Sequence, residues 1–151
     1  MTTIYFDIDG TLSDLFSVPN WRERLAARDS TPYRVARPLC PLESLRERLT
    51  RYHAAGYKLG IISWCSMGGD ESFDEAVKTA KIDWLKEHDI LKYFDVVHIM
   101  PYGTPKHQFM KRGDILVDDD SNVRAQWNKW GGVAIDMKEL FKQSAKNSPN
   151  L

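Results

Sequence analysis

Two carboxylates, Asp7 and Asp9, stand at the end of the apolar run Ile4-Tyr5-Phe6 and are followed at once by Gly10-Thr11. Where a strand keeps its pleat, side chains at i and i+2 project to the same side. Like charges that close need a cation or a proton between them. A hard divalent ion such as Mg²⁺ meets that need, because it takes carboxylate oxygen and keeps several waters, leaving room in its shell for a phosphate oxygen. A carboxylate beside such an ion can attack phosphorus to give an aspartyl-phosphate while its neighbour moves protons. For an Asp-x-Asp alone, the competing interpretation is a turn of solvated acids after a strand. A second acidic group adds to the first: Asp118-Asp119-Asp120 directly follows Ile115-Leu116-Val117. Three consecutive acids at the end of a buried strand repel one another unless they are metal-bound or solvated.

The elements that must position these groups can be read in order. Thr3 to Ile8 is short, β-branched and aromatic, with the near-continuous apolar character of a central parallel strand. From Asp14 to Pro41 the chain is irregular, with prolines at 19, 32, 38 and 41 and aromatics Phe16, Trp21 and Tyr33 set among arginines. A short helix from Trp21 to Arg28 is expected within a segment that is otherwise loop. Pro41 to Ala55 is helical, since Leu42, Leu45, Leu49 and Tyr52 recur at helical spacing and Gly56 supplies the stop. Tyr57 to Ile62 is a second strand delivering Ser63, whose hydroxyl either serves a site or caps the following turn. Trp64, Cys65 and Ser66 then shape a loop closed by Gly68-Gly69. Ser72 to Glu75 has the form of a capping box, opening a helix to about His88 with Phe73, Ala76, Val77, Ala80, Trp84 and Leu85 on its apolar face. Tyr93 to Ile99 is a third strand, Pro101 to Lys106 a constrained loop and Asp114 to Val117 a fourth strand. A helix from about Asn122 to Lys129, capped by Asp120, leads to a fifth strand, Val133 to Ile135. A last helix runs from Met137 to about Lys146, and 147–151 fray. The alternation of strand and helix predicts one α/β domain, a doubly wound, mainly parallel five-stranded sheet with its site at the carboxyl strand ends.

Asp7-Ile8-Asp9-Gly10-Thr11 behind an apolar strand resembles the first signature of the haloacid dehalogenase-like phosphohydrolase superfamily. Further signatures are matched in order by Ser63 at a strand end, Lys106 behind its loop, with Lys111 and Arg112 as competitors, and the Asp118-Asp119 pair. The resemblance spans nearly the whole chain. It implies a Rossmann-like three-layer core with sheet order 5-4-1-2-3, so that the first and fourth strands bring both acidic groups to one Mg²⁺. It also implies a Mg²⁺-dependent phosphatase in which Asp7 is the nucleophile and Asp9 the acid and base. The metal is then held by Asp7, the Asp9 backbone carbonyl and Asp119, with Asp118 close behind, while Ser63, Trp64 and Lys106 hold the phosphoryl group. Within the superfamily, Lys78 to Leu85 followed by a strand and Lys106 resembles the 5′(3′)-deoxyribonucleotidase branch. That likeness implies a nucleotide substrate, contacted by Trp21, Tyr33 and Arg34 of the insert at about 14–41. The insert is shorter than the helical cap of those enzymes, so the alternative is a phosphate on a larger molecule, such as a polynucleotide 3′-end or a phosphoprotein. A non-catalytic phosphate-binding module and a phosphotransferase or mutase are the other classes. The intact Asp7 and Asp9 argue against the first and the small insert against the second.

Composition sets limits on partners. The chain has 151 residues, with Lys+Arg and Asp+Glu both at 21, so no global field holds nucleic acid or a membrane by charge alone. No apolar run approaches the ~20 residues of a membrane span. Cys40 and Cys65, with no secretory segment at Met1-Thr2-Thr3, are expected as free thiols in a reducing cytoplasm.

Overall fold

The computed structural model describes residues 1–143, so the predicted end of the last helix and the fraying after it lie outside the described residues. Five strands, β1 (Thr3–Phe6), β2 (Lys58–Trp64), β3 (Val96–Met100), β4 (Ile115–Val117) and β5 (Val133–Ile135), form one sheet in the order β3-β2-β1-β4-β5. Every neighbouring pair is parallel. This is the expected order read from the opposite edge, and it sets β1 between β2 and β4. The connections run through helices α1 (Trp21–Ala26), α2 (Thr31–Val35), α3 (Leu42–Ala54), α4 (Glu71–Glu87), α5 (Ser121–Lys129) and α6 (Met137–Lys142).

Strand periodicity divides the core into two layers. Ile4, Phe6, Leu59, Ile61, Ile115 and Val117 pack with Leu45, Leu49 and Tyr52 of α3, Trp84 and Leu85 of α4, and Leu140 of α6. Tyr5, Ile62, Met100 and Leu116 pack on the other face with Trp127 of α5. Both faces of the sheet are therefore covered, which is why the central strands read as continuous apolar runs rather than alternating ones. No helix among the described residues is long and apolar enough to cross a membrane.

Several boundaries differ from expectation for local reasons. Helix α4 opens at Glu71 because Asp70, not Ser72, is its cap: the Asp70 carboxylate accepts from the Phe73 amide at 2.9 Å. Strand β3 starts late because Leu91–Tyr93 takes a 3₁₀ turn, while the Asp95 carboxylate accepts from the Leu59 amide at 2.9 Å. The insert contains the expected short helix as α1, and where loop was expected it also forms a 3₁₀ turn at Leu15–Ser17 and α2. Its ends are tied to each other, Asp14 N donating to Arg37 O at 2.7 Å and Leu39 N to Leu12 O at 2.9 Å. It is also fastened to α4, where the Trp84 indole donates to Ala36 O at 2.7 Å and Arg34 pairs with Glu87 at 2.9 Å.

Candidate active site

The site is built where β1, β2 and β4 end together. Asp7 N still donates to Val117 O at 2.9 Å, so Asp7 leaves the sheet in register with the end of β4 and beside Asp118. The chain then winds tightly, the amides of Thr11, Leu12 and Ser13 all donating to Ile8 O. Gly10 makes this turn possible: its φ is +79°, and a Cβ there would overlap the Asp119 carboxylate and lie 2.8 Å from Phe16 Cε2. Gly10→Ala is expected to cost ~1–3 kcal/mol of stability and to displace Asp119, and so to weaken whatever affinity the acidic cluster has for a divalent cation. A thermal melt and a calorimetric Mn²⁺ titration check both effects.

Asp7, Asp118 and Asp119 each offer one carboxylate oxygen, and these three atoms lie within 4.8 Å of one another. Lys106, at the start of a 3₁₀ turn (Lys106–Phe109), lies nearly buried between two of them, its Nζ 3.0 Å from Asp7 Oδ1 and 2.7 Å from Asp118 Oδ2. Burial opposes the Lys106 charge, but Asp7 and Asp118 outweigh it and hold the ammonium above the ordinary lysine range. The Thr11 hydroxyl bridges Asp7 Oδ2 at 3.3 Å and Asp119 Oδ1 at 3.4 Å. Asp118 is also fixed through Oδ1, which accepts from Asp120 N at 2.9 Å. Burial and then the Asp7 charge raise Asp118 above the ordinary carboxylate range; Asp119, the most exposed of the three, is raised by burial, Asp7 and Asp118. Asp120 is the N-cap of α5, as expected, accepting from Asn122 N and Val123 N.

The second carboxylate of the loop faces another way. Asp9 Oδ2 is 2.5 Å from Nζ of Lys81, a fully buried residue of α4, while Oδ1 accepts from Ser13 Oγ at 3.5 Å. Burial raises Asp9 above the ordinary carboxylate range against the pull of Lys81. Ser63, expected as a phosphate contact after β2, lies within β2, is fully buried and accepts from Lys81 at 2.8 Å. It is not part of the cavity lining, whereas Trp64 is. The Trp64 indole donates to Thr104 O at 2.7 Å, and its ring lies 5.2 Å from the Lys106 ammonium.

A cavity of about 640 Å³ opens above this floor. Asp7, Asp9, Lys106, Asp118 and Asp119 form its polar base, and Leu15, Phe16, Trp21, Leu25 and Tyr33 of the insert form an apolar wall. Phe16 and Trp21 meet edge to face at 5.2 Å. The insert thus flanks the site rather than lying aside. Of its three expected substrate residues, Trp21 and Tyr33 line the cavity; Arg34, next to Tyr33 in α2, is outside the lining, exposed and paired with Glu87. Comparison with models of known protein families gives no match, and comparison with curated proteins gives no significant one.

Two further groups lie outside the acidic floor. Cys65 is free and buried, and burial with the nearby Asp74 pushes its thiol up to about 11, which leaves it unsuited as a nucleophile. His98 sits within β3 with its ring stacked on Phe109 at 4.2 Å, a packing position. Lys81 entered the sequence reading only within the Lys78 to Leu85 likeness, with no role of its own. Its signal was spacing: 81 is four residues after Val77 and three before Trp84, so this lysine falls on the buried stripe of α4.

Proposed function

We propose that this chain is a Mg²⁺-dependent phosphomonoester hydrolase of the haloacid dehalogenase-like type, acting on a nucleotide through an aspartyl-phosphate formed on Asp7. The observation that supports it best is the convergence of Asp7, Asp118 and Asp119 within 4.8 Å, with Lys106 between Asp7 and Asp118. Residues more than 100 positions apart meet there because β1 and β4 are neighbours. The donor set fits a hard divalent ion: it is all carboxylate oxygen, and two of its members are raised by mutual repulsion and burial that a cation would relieve. Asp7, Asp118 and Asp119, with the Asp9 backbone carbonyl, would hold the ion. When bound, it would offset negative charge on the phosphoryl oxygens.

The chain's own groups account for the remaining chemistry. An Asp7 oxygen attacks phosphorus in line with the ester bond, and Lys106 keeps that carboxylate in place while neutralising phosphate charge. Asp9, held above the ordinary carboxylate range, gives a proton to the leaving oxygen as the ester bond breaks. It then takes a proton from the water that hydrolyses the acyl phosphate. The aromatic wall of Phe16, Trp21 and Tyr33 beside the acidic floor suits a flat base joined to a phosphate, and the cavity size falls in the range of small-molecule sites.

Phosphate release tests the proposal. With Mg²⁺, 5′- and 3′-(deoxy)nucleoside monophosphates should be hydrolysed faster than a 3′-phosphorylated oligonucleotide, and EDTA should abolish release. Preference for the oligonucleotide would move the substrate to a polymer end. Absence of Mg²⁺-dependent release from every ester would overturn the enzyme assignment.

A further inference from the structure

Lys81 is a fully buried cation with no place in the mechanism so far. Its Nζ donates to Asp9 Oδ2 at 2.5 Å, Ser63 Oγ at 2.8 Å and Trp64 O at 2.6 Å, and the Tyr33 ring lies 4.7 Å from it. An ammonium has three protons, so these acceptors use all of its donors and none is left for a substrate. Burying a lysine is an inefficient way to stabilise a fold, since the desolvation penalty offsets most of the ion-pair attraction. What the arrangement does achieve is geometric. It ties the second carboxylate of the β1 loop to the end of β2 through a side chain anchored in the 17-residue helix α4.

Resting on the hydrolase proposal above, we infer that Lys81 is a positioning residue for Asp9. By occupying Oδ2, it commits Oδ1, whose other contact is the 3.5 Å bond from Ser13 Oγ, to proton transfer at the ester oxygen. In that step the Asp7 oxygen–phosphorus bond forms and the ester P–O bond breaks. The electron pair of the broken bond stays on the leaving oxygen, which takes the proton from Asp9. A poor leaving group such as a sugar hydroxyl needs that proton, whereas a nitrophenolate leaves without it. Ser63 belongs to the same device as the second acceptor that fixes the Lys81 head.

The test compares a nucleoside monophosphate with p-nitrophenyl phosphate as substrates of wild type, Lys81→Met, Asp9→Asn and the double variant. Lys81→Met should lower the single-turnover rate of leaving-group release from the nucleotide by ~100-fold, and from p-nitrophenyl phosphate by only a few-fold, the later hydrolysis of the aspartyl-phosphate being common to both esters. The double variant should be no slower on the nucleotide than Asp9→Asn alone, because the two residues act as one unit. If Lys81→Met fails to fold, as judged by circular dichroism, Lys81→Gln is compared in its place on the same ratio. Equal losses on both esters, or additive losses in the double variant, would overturn the inference while leaving the hydrolase proposal standing. A wild type silent on both esters would overturn that proposal and this inference with it.

Discussion

Asp7→Asn protein is expected to fold normally and, on the proposed mechanism, to release no measurable phosphate, a loss on the order of 10⁴-fold or more. The amide keeps the size of the carboxylate and can still accept from the Lys106 ammonium, so the ladder bond from Asp7 N to Val117 O and the pairing of Lys106 with Asp118 at 2.7 Å persist. What the substitution would remove is the proposed nucleophile, since an amide oxygen does not form a stable acyl phosphate. Stability should stay level or rise, because Asp7 contributes to the repulsion that raises both Asp118 and Asp119. Two measurements decide the matter: single-turnover phosphate release, and a thermal melt beside wild type. A well-folded Asp7→Asn protein with wild-type turnover would remove Asp7 from the chemistry.

The largest effect on stability is expected from Lys106→Met. Lys106 is about 5% exposed and lies between two carboxylates, so its loss leaves Asp7 and Asp118 facing each other without a cation. Removing one partner of a buried ion pair typically costs ~3–5 kcal/mol. The sign of the pH dependence follows from the direction of each shift. In wild type the folded-state Lys106 is raised above its unfolded value, so its contribution is complete throughout the neutral range and is lost only as pH climbs through the folded value. Asp118 and Asp119 are raised as well, so the folded state holds more protons than the unfolded state above the ordinary carboxylate range. Their contribution therefore falls as pH rises through that window. In Lys106→Met this second trend steepens: the variant should lose most relative to wild type at about pH 8, recover towards about pH 5, and recover at the higher pH on addition of Mg²⁺. Denaturant melts at the two pH values, with Mg²⁺ and with EDTA, measure this directly. A pH-independent loss that Mg²⁺ leaves untouched would show that the cluster is not held together by charge.

The sequence by itself determined the architecture and the acidic floor of the site. Apolar runs leading to Asp7, Ser63 and Asp118 placed three strand ends in order, and in a parallel sheet those ends lie on one edge by construction. Adjacent polar residues at a strand end then have little freedom in where they point. Asp7, Asp118 and Asp119 were legible for that reason, Lys106 only through the resemblance, and the Asp120 cap because it depends only on the next three residues. Within the insert the short helix from Trp21 was legible as α1, but α2, of five residues, is too short for helical periodicity to register and is held by contacts with α4. Arg34 shared an arginine-rich stretch with Tyr33, yet only the docking of α2 decides that Tyr33 faces the cavity and Arg34 faces Glu87. Lys81 was settled by tertiary structure for the strongest physical reason. A lysine within an apolar stripe reads as a solvated interruption until the fold brings Asp9, Ser63 and the Trp64 carbonyl to its ammonium from 72, 18 and 17 residues away. A buried charge is tolerable only where such partners converge, and that convergence is a property of the packed sheet and helix, not of the local chain.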